Sequence, residues 1–236
     1  VTSGPIDRSR RFDEDIDKVL PRAEYLELLG EGIYRILKGM MYKIVIAAGF
    51  YTVMNYFGTG GTWYSIAIYF YTYGFYLFFD FAGYSSMAIG VSYIFGIKTP
   101  ENFNAPFVSK DIKEFWNRWH MTLSFWFRDF LFSRVTMSLV RSRKIKNKMA
   151  IASVAFMINM FVMGVWHGLE SNYIVYGLYH GVLLSLCEIF QKKSKFYKAH
   201  KKDKWFIALS WFITFNLVML GFFIFSGRLG ILLFKK

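Results

Sequence analysis

The stretch MAIASVAFMINMFVMGVWHGL occupies residues 149–169 and contains no charged residue. A helix needs roughly 20 apolar residues to cross the hydrocarbon core of a bilayer, so this run has the length of one transmembrane helix. Its residues do not alternate strictly between apolar and polar, as those of a membrane β-strand would. We therefore expect a membrane-spanning helix here.

Further apolar runs on both sides of this stretch predict more spans. They lie near residues 40–57, 63–79, 171–188 and 205–226. Only helices and closed barrels satisfy their backbone hydrogen bonds in lipid, so the runs predict an all-α, multi-span membrane protein. A separate apolar segment, 81–97, carries glycine and serine residues that would let it approach a neighbouring helix closely.

The composition supports a membrane protein. Of the 236 residues, 55% are hydrophobic and 21% are aromatic, which is more than one small soluble core can bury. The single cysteine, Cys187, lies in an apolar run and reads as a buried hydrophobe. No disulfide framework is possible with one cysteine.

Positive charge is concentrated in two clusters, at residues 141–148 and 192–204, and the formal net charge is +13. Basic runs of this kind can bind nucleic acid. Each cluster here directly adjoins a charge-free span, so we interpret both as cytoplasmic loops that follow the positive-inside rule and expect no nucleic-acid partner. The expected location is the cell membrane, with the lipid bilayer as a partner.

Two segments are charged rather than uniformly apolar. Residues 1–38 are mixed, and the helical spacing of apolar residues from 22 to 37 favours a helix at the membrane surface. Residues 98–140 are aromatic and charged, and Ser109 or Asp111 could cap a helix there. Such a segment should lie at the interface or line a polar cavity rather than face lipid.

Four histidines are present, and the sequence around two of them makes these two candidate functional residues. His167 is an ionisable group at the end of a span and is flanked by glycines, so either a catalytic group or a packing histidine fits. His120 follows Trp119 in the polar aromatic segment, where an interfacial helix is the simpler explanation from composition. His180 reads as a structural histidine and His200 as a solvated one. Their spacing indicates no metal site.

Several motifs taken together resemble those of the membrane-bound O-acyltransferase (MBOAT) family. FWNRWH (115–120) is similar to the central aromatic-basic motif of that family, and VWHG (165–168) is similar to its Trp-His-Gly motif. FDFAGY (79–84) and the Gly4-Pro5-Ile6 stretch also resemble family segments. The resemblance covers nearly the whole chain. It implies one acyltransferase domain over residues 1–236, with the spans of 149–227 carrying His167.

The resemblance also implies a fold and a site. Family members form a ring of helices around a transmembrane tunnel, and about the first third of such a protein is expected to be missing from this chain. The Trp-His-Gly histidine is catalytic in the family, which implies a catalytic role for His167. Acyl transfer to an alcohol needs a base, which suits His167, and His120 could orient the acceptor or donate to the developing oxyanion. The expected tunnel residues are Trp116, Asn117, Trp119, Arg128, Asp129 and Trp166.

The stretch FWFRDF (125–130) is most similar to the branch of the family that transfers D-alanine to lipoteichoic acid. That branch implies a carrier protein that supplies a phosphopantetheine thioester, a teichoic acid acceptor, other membrane proteins of the same pathway, and no permanently bound cofactor. Carrier docking is expected at Arg134, Arg141, Arg143 and Lys144. The rival branch acetylates alginate-type polysaccharides. A transporter using Asp80 as a proton relay and a non-catalytic scaffold are more distant alternatives.

Overall fold

The computed structural model describes residues 4–234 and contains no β-strand within them. The α-helices are α1 (Ser9–Ile16), α2 (Arg22–Met40), α3 (Ala48–Phe57), α4 (Trp63–Ile94), α5 (Ile112–Trp116), α6 (Met121–Phe127), α7 (Ser133–Ser142), α8 (Lys148–His167), α9 (Ser171–Lys193), α10 (Lys195–His200), α11 (Lys204–Phe225) and α12 (Arg228–Phe234). Two π-helical stretches, Met41–Ala47 and Arg128–Phe132, join neighbouring α-helices, and Pro106–Val108 forms a 3₁₀ turn. The predicted all-α class is confirmed.

Five helical stretches in the described residues are long and apolar enough to cross a membrane: Arg22–Phe57, Trp63–Ile94, Lys148–His167, Ser171–Lys193 and Lys204–Phe225. The last three agree with the predicted spans within a few residues. The predicted short span at 171–188 extends five residues further, because its last turn continues into the basic cluster.

The first two spans differ from the expectation. The surface helix predicted over 22–37 and the span predicted over 40–57 form one uninterrupted helical stretch, since a π-helical turn joins α2 to α3. Likewise α4 runs through residue 80 without a break, so the boundary expected between 63–79 and 81–97 is wrong. Neither junction contains a proline, and nothing else there prevents the helical hydrogen bonding from continuing.

The chain forms two compact units. One unit extends to Asn104 and includes His120–Leu123, and the other comprises Ala105–Trp119 together with the chain from Ser124 onward.

In the first unit, α2 packs closely against α4 through two pairs of glycines. A Cβ atom on Gly39 would lie 2.6 Å from the carbonyl oxygen of Gly83, and one on Gly32 would lie 2.8 Å from the carbonyl oxygen of Gly90. Seven residues separate the glycines on each helix, so both pairs lie on one face. The expected close approach by small residues is confirmed.

Asp80, in the middle of α4, forms an ion pair with Lys43, whose Nζ lies 2.5 Å from its carboxylate. A charge inside a membrane helix is costly unless it is paired. The ion pair gives Asp80 a structural role. The carboxylate of Asp80 is therefore not an argument for a proton-relay transporter.

In the second unit, α8 and α9 are antiparallel neighbours joined by a three-residue link. A Cβ atom on Gly164 would lie 2.5 Å from the carbonyl oxygen of Tyr173, and one on Gly177 would clash with the carbonyl group of Met160. Because α8 begins where one basic cluster ends and α9 ends where the other begins, both clusters lie at the same end of this helix pair.

Candidate functional site

The first histidine of interest, His120, lies in the first unit and is held by a hydrogen-bond network. Its side chain is buried, and its Nδ1 is 2.9 Å from Oδ1 of Asn102. The Asn102 amide donates through Nδ2 to Ser85, and its Oδ1 also accepts from the Thr122 hydroxyl at 2.9 Å. The network therefore makes Oδ1 the acceptor and Nδ1–H of His120 the donor.

Segments far apart in sequence surround this ring. Phe81 meets His120 edge-on with ring centroids 4.7 Å apart, and the backbone N–H of Ile6 donates to the Thr122 hydroxyl. A Cβ atom on Gly4 would lie 3.1 Å from Cε1 of His120 and 2.8 Å from Nδ2 of Asn102. The motifs around residues 4–6 and 79–84, identified from sequence as family segments, thus pack against one histidine.

His120 has a left-handed backbone, with φ of 43°. This conformation is uncommon for a residue other than glycine. It separates α5 from α6 and turns the chain so that Met121 N–H donates to the Asn102 carbonyl. A strained backbone of this kind persists only where its surroundings hold it, and the Asn102 network provides that support.

The second histidine, His167, is the last residue of α8 and lies in the second unit. Its half-buried ring packs edge-on against Phe225 with centroids 5.1 Å apart, and Tyr173 and Tyr176 of α9 lie on other sides. Among residues 4–234 its ring makes no side-chain hydrogen bond. Both ring nitrogens thus remain available to a bound molecule.

A pocket of about 250 Å³ in the second unit has α8 as one wall. Phe156, Met160 and Met163 line this wall, and His167 follows at the helical spacing that continues the same face. Asn159 also lines the pocket, and its buried Oδ1 has no hydrogen-bond partner within the described part of the chain. The pocket is thus largely apolar, and His167 lies one turn beyond Met163 on the same face of α8.

Three of the predicted tunnel residues line this pocket: Trp116, Asn117 and Arg128. The other three do not. Trp119 is buried in the core of the second unit, where it packs on Phe115 and Phe222.

The remaining two predicted residues are on the surface of the second unit. Asp129 forms an exposed ion pair with Arg128. Trp166 is 47% exposed and contacts the His167 ring edge-on, with centroids 4.9 Å apart.

The aromatic-basic motif has a structural component as well. Asp111 caps α5 by accepting from the backbone N–H groups of Lys113 and Glu114, which confirms one of the two predicted caps. Glu114 pairs with Arg118 one turn later at 2.8 Å. Burial acts to raise the pKa of Glu114, but hydrogen bonds from the Lys110 backbone and the Arg118 side chain outweigh it and lower the pKa.

His180 is fully buried, and its Nδ1 lies 3.4 Å from Nε1 of Trp116. Since indole N–H can only donate, His180 accepts this bond. The expected structural role is consistent with this cross-helix contact, and a side chain on Gly221 would collide with the imidazole.

All four residues expected to dock a carrier protein are exposed: Arg134, Arg141, Arg143 and Lys144. Arg134 and Arg141 lie on α7 and flank a shallow depression that also contains Met137, and Met137 and Val140 are themselves exposed. The helix thus presents both positive charge and apolar surface.

Sequence reasoning missed two polar residues, Asn102 and Asn159. Asn102 lies in an irregular segment after Pro100. Asparagine is common in turns, so an asparagine at this position did not indicate a functional residue. Asn159 and Ser153 are the polar side chains in the charge-free run at 149–165. An amide side chain within an apolar span could have marked Asn159 as a candidate site residue.

The chain matches the sequence profile of MBOAT, the membrane-bound O-acyltransferase family, over residues 1–229. This match covers both histidines and the pocket, and the chain belongs to that family. It is therefore a membrane protein of the MBOAT class.

Among curated relatives, the chain is 49% identical over 231 residues to the teichoic acid D-alanyltransferase of Bacillus subtilis (strain 168), covering 97% of this chain and 58% of that protein. It is 46% identical to the teichoic acid D-alanyltransferase of Streptococcus thermophilus, covering 100% of this chain and 60% of that protein. A probable alginate O-acetylase of Pseudomonas syringae pv. tomato is 32% identical, with 97% and 41% covered. The chain thus spans about three-fifths of the length of the D-alanyltransferases that it matches.

Proposed function

We propose that this protein is an acyltransferase that moves D-alanine from the phosphopantetheine thioester of a carrier protein toward a teichoic acid. The observation that carries the proposal is the pocket lined by Trp116, Asn117 and Arg128, whose α8 wall continues along one helix face to His167. The greater identity to the D-alanyltransferases than to the alginate O-acetylase favours D-alanine over acetate.

In the proposed mechanism, His167 acts as the general base. It accepts the proton of the acceptor hydroxyl as the oxygen attacks the thioester carbonyl. The C–S bond then breaks, the ester remains on the acceptor, and the thiolate takes the proton back from His167. Imidazole suits both steps because its ordinary pKa lies near neutral pH. The ring's lack of a side-chain hydrogen bond within residues 4–234 supports this role.

His120 is proposed to assist the transfer by orienting the acceptor or stabilising the developing oxyanion. The hydrogen bond from Nδ1 to Asn102 supports this role. It fixes the orientation of the ring and leaves the lone pair of the neutral imidazole on Nε2. A double-mutant cycle combining His120→Ala and His167→Ala tests whether both act on the same step.

The pocket is proposed to receive the pantetheine arm. Phe156, Met160 and Met163 suit its methylene groups. The amide side chains of Asn117 and Asn159, which also line the pocket, suit its two amides. Apolar walls also limit access of water, which would otherwise hydrolyse the thioester.

We further propose that α7 and the following basic loop dock the carrier. Phosphopantetheine carriers are generally acidic, and complementary charge accelerates association. The exposed Arg134, Arg141, Arg143 and Lys144 provide that charge, while Met137 and Val140 provide apolar contact. The protein would then lie in the cell membrane with loops 141–148 and 192–204 cytoplasmic, alongside other membrane proteins of the pathway.

The test is a transfer assay with protein purified in detergent, D-alanyl-loaded carrier and teichoic acid. We expect transfer without any ion gradient, and His167→Ala should lower its rate ~10²–10⁴-fold. The control is His200→Ala, because His200 hydrogen-bonds to Asp203 in the basic loop after α9 and should not affect the rate. Near-normal transfer by His167→Ala would refute the base assignment. Efficient use of an acetyl donor in place of D-alanine would instead indicate the polysaccharide acetylation branch.

A further inference from the structure

A second, larger cavity in the second unit has no role in the proposed transfer. It has a volume of about 480 Å³ and lies between α9 and α11. Its walls are mainly aliphatic and aromatic side chains: Leu183, Leu186, Phe190, Phe206, Ile213 and Leu217. Several of these, including Leu186 and Ile213, are exposed, so the cavity is a groove open along its side. Two helices of membrane-spanning length form it.

One end of this groove is basic. Lys110, Lys201 and Lys202 line it, and all three are exposed. Within residues 4–234 none of these three side chains forms an ion pair. Other lysines nearby differ in this respect, since Lys113 and Lys192 both pair with Glu188. The groove therefore ends in three ammonium groups that form no salt bridge within residues 4–234, and the charge of Lys110 contributes to lowering the pKa of Glu114.

Polar groups next to these lysines fit an anionic ligand. Asp111 is the carboxylate in this lining, and its charge is engaged by two backbone N–H groups of α5 and by the Gln191 amide at 3.1 Å. Burial, and then the charge of Asp111, raise the pKa of Tyr197. Its phenol is therefore protonated at neutral pH and can donate a hydrogen bond.

The length of the groove matches one leaflet. Along α11 it extends from Phe206 to Leu217, which is ~16 Å at ~1.5 Å per residue. Half of a hydrocarbon core that is ~30 Å thick is ~15 Å. An acyl chain lying along the groove would thus reach about the bilayer centre while its headgroup stays near the lysines.

We propose that this groove binds an anionic glycerophospholipid of the bilayer, with one acyl chain between α9 and α11 and its phosphate at Lys110, Lys201 and Lys202. Charge complementarity selects the occupant. A neutral lipid would supply no counter-charge at the basic end, and a zwitterionic lipid adds a cation beside its phosphate and so brings no net negative charge. Anionic lipids, in contrast, are attracted to clustered lysines at a membrane surface. A protein helix would not need such a cationic end.

The test uses the purified protein in nanodiscs that contain a photoactivatable phospholipid with a diazirine on its acyl chain. Phosphatidylglycerol and phosphatidylcholine carrying the same chain are compared at equal mole fraction. After illumination, labelled peptides are mapped by mass spectrometry. We expect peptides covering 183–190 and 206–217 to be labelled at least about fivefold more by phosphatidylglycerol.

Matched variants separate this site from general attraction to a basic protein. The triple variant Lys110→Gln, Lys201→Gln, Lys202→Gln should lose the preference for phosphatidylglycerol. The control is the triple variant Lys193→Gln, Lys195→Gln, Lys198→Gln, which removes the same charge from exposed lysines outside the groove. This control should retain the preference for phosphatidylglycerol.

A further variant, Ser210→Trp, fills the groove and keeps all three lysines. It should reduce labelling of both peptides by either lipid. Three outcomes would overturn the proposal. The two lipids could label the peptides equally, or both triple variants could lose the preference for phosphatidylglycerol equally. The third is unchanged labelling in Ser210→Trp. D-alanine transfer is not part of the readout, so the result does not depend on the proposed activity.

Discussion

Nδ1 of His120 lies 2.9 Å from Oδ1 of Asn102, although 18 residues separate them in the sequence. The same Oδ1 also accepts from the backbone N–H of Thr122, and because a backbone N–H can only donate, this contact fixes the orientation of the amide. Consequently the neutral imidazole carries its proton on Nδ1 and its lone pair on Nε2. Asn102 is thus a positioning residue for a histidine in an uncommon backbone conformation.

Asn102→Ala should slow acyl transfer while the protein still inserts into the membrane. Removing one partner of a buried hydrogen bond costs ~1–3 kcal/mol, which corresponds to a rate loss of roughly 5- to 150-fold. The measurement is the initial rate of D-alanine transfer, with Asn104→Ala, an exposed amide two residues further on, as the control. Equal rates for the two variants would argue against a positioning role.

Ser124→Leu should obstruct the pocket proposed to receive the pantetheine arm. Ser124 lines the pocket, and its hydroxyl donates to the Trp119 carbonyl at its edge. The larger side chain occupies space in the cavity, so transfer should fall at least about tenfold while carrier binding is retained. Ala199→Leu, an exposed change in α10, should have no effect. A Ser124→Leu protein with normal transfer would show that the arm does not enter here.

Charge reversal on α7 should weaken binding of the carrier protein. The double variant Arg134→Glu, Arg141→Glu changes exposed side chains and should leave folding intact. We expect the carrier's Kd to rise about tenfold or more at low salt and the difference to shrink as salt increases, because screening weakens exposed charges.

The control for that experiment is Lys195→Glu, Lys198→Glu in the other basic cluster. It makes the same change in net charge away from α7. Binding lost equally in both double variants would indicate non-specific attraction instead of a docking site.

The two basic clusters should be cytoplasmic. In a Cys187→Ser background, cysteines introduced at Lys146 and Lys198 should resist a membrane-impermeant maleimide in intact cells, because basic loops are retained on the cytoplasmic side. A cysteine at Glu170, in the link between α8 and α9, should be labelled from outside. Permeabilised cells serve as the control, and labelling of either basic loop in intact cells would reverse the assigned orientation.

The sequence by itself was enough to predict the helical class and three of the five spans. Charge-free runs such as 149–169 are local features, and their ends are marked by charged residues that lipid does not tolerate. The sequence also indicated His167 and His120 as candidate catalytic residues, because each lies in a short contiguous motif. Their roles rest on the resemblance and stay predictions.

Only the tertiary structure decided which polar groups meet. It paired Asp80 with Lys43 and His120 with Asn102, and it packed Trp119 against Phe222. It also joined helices that the sequence had separated near residues 40 and 80. Hydrophobic periodicity in a sequence indicates how one segment partitions between water and lipid. A hydrogen bond or an ion pair between distant residues depends instead on how their segments pack in three dimensions. That packing is set by close approaches between helices, such as Gly39 against Gly83.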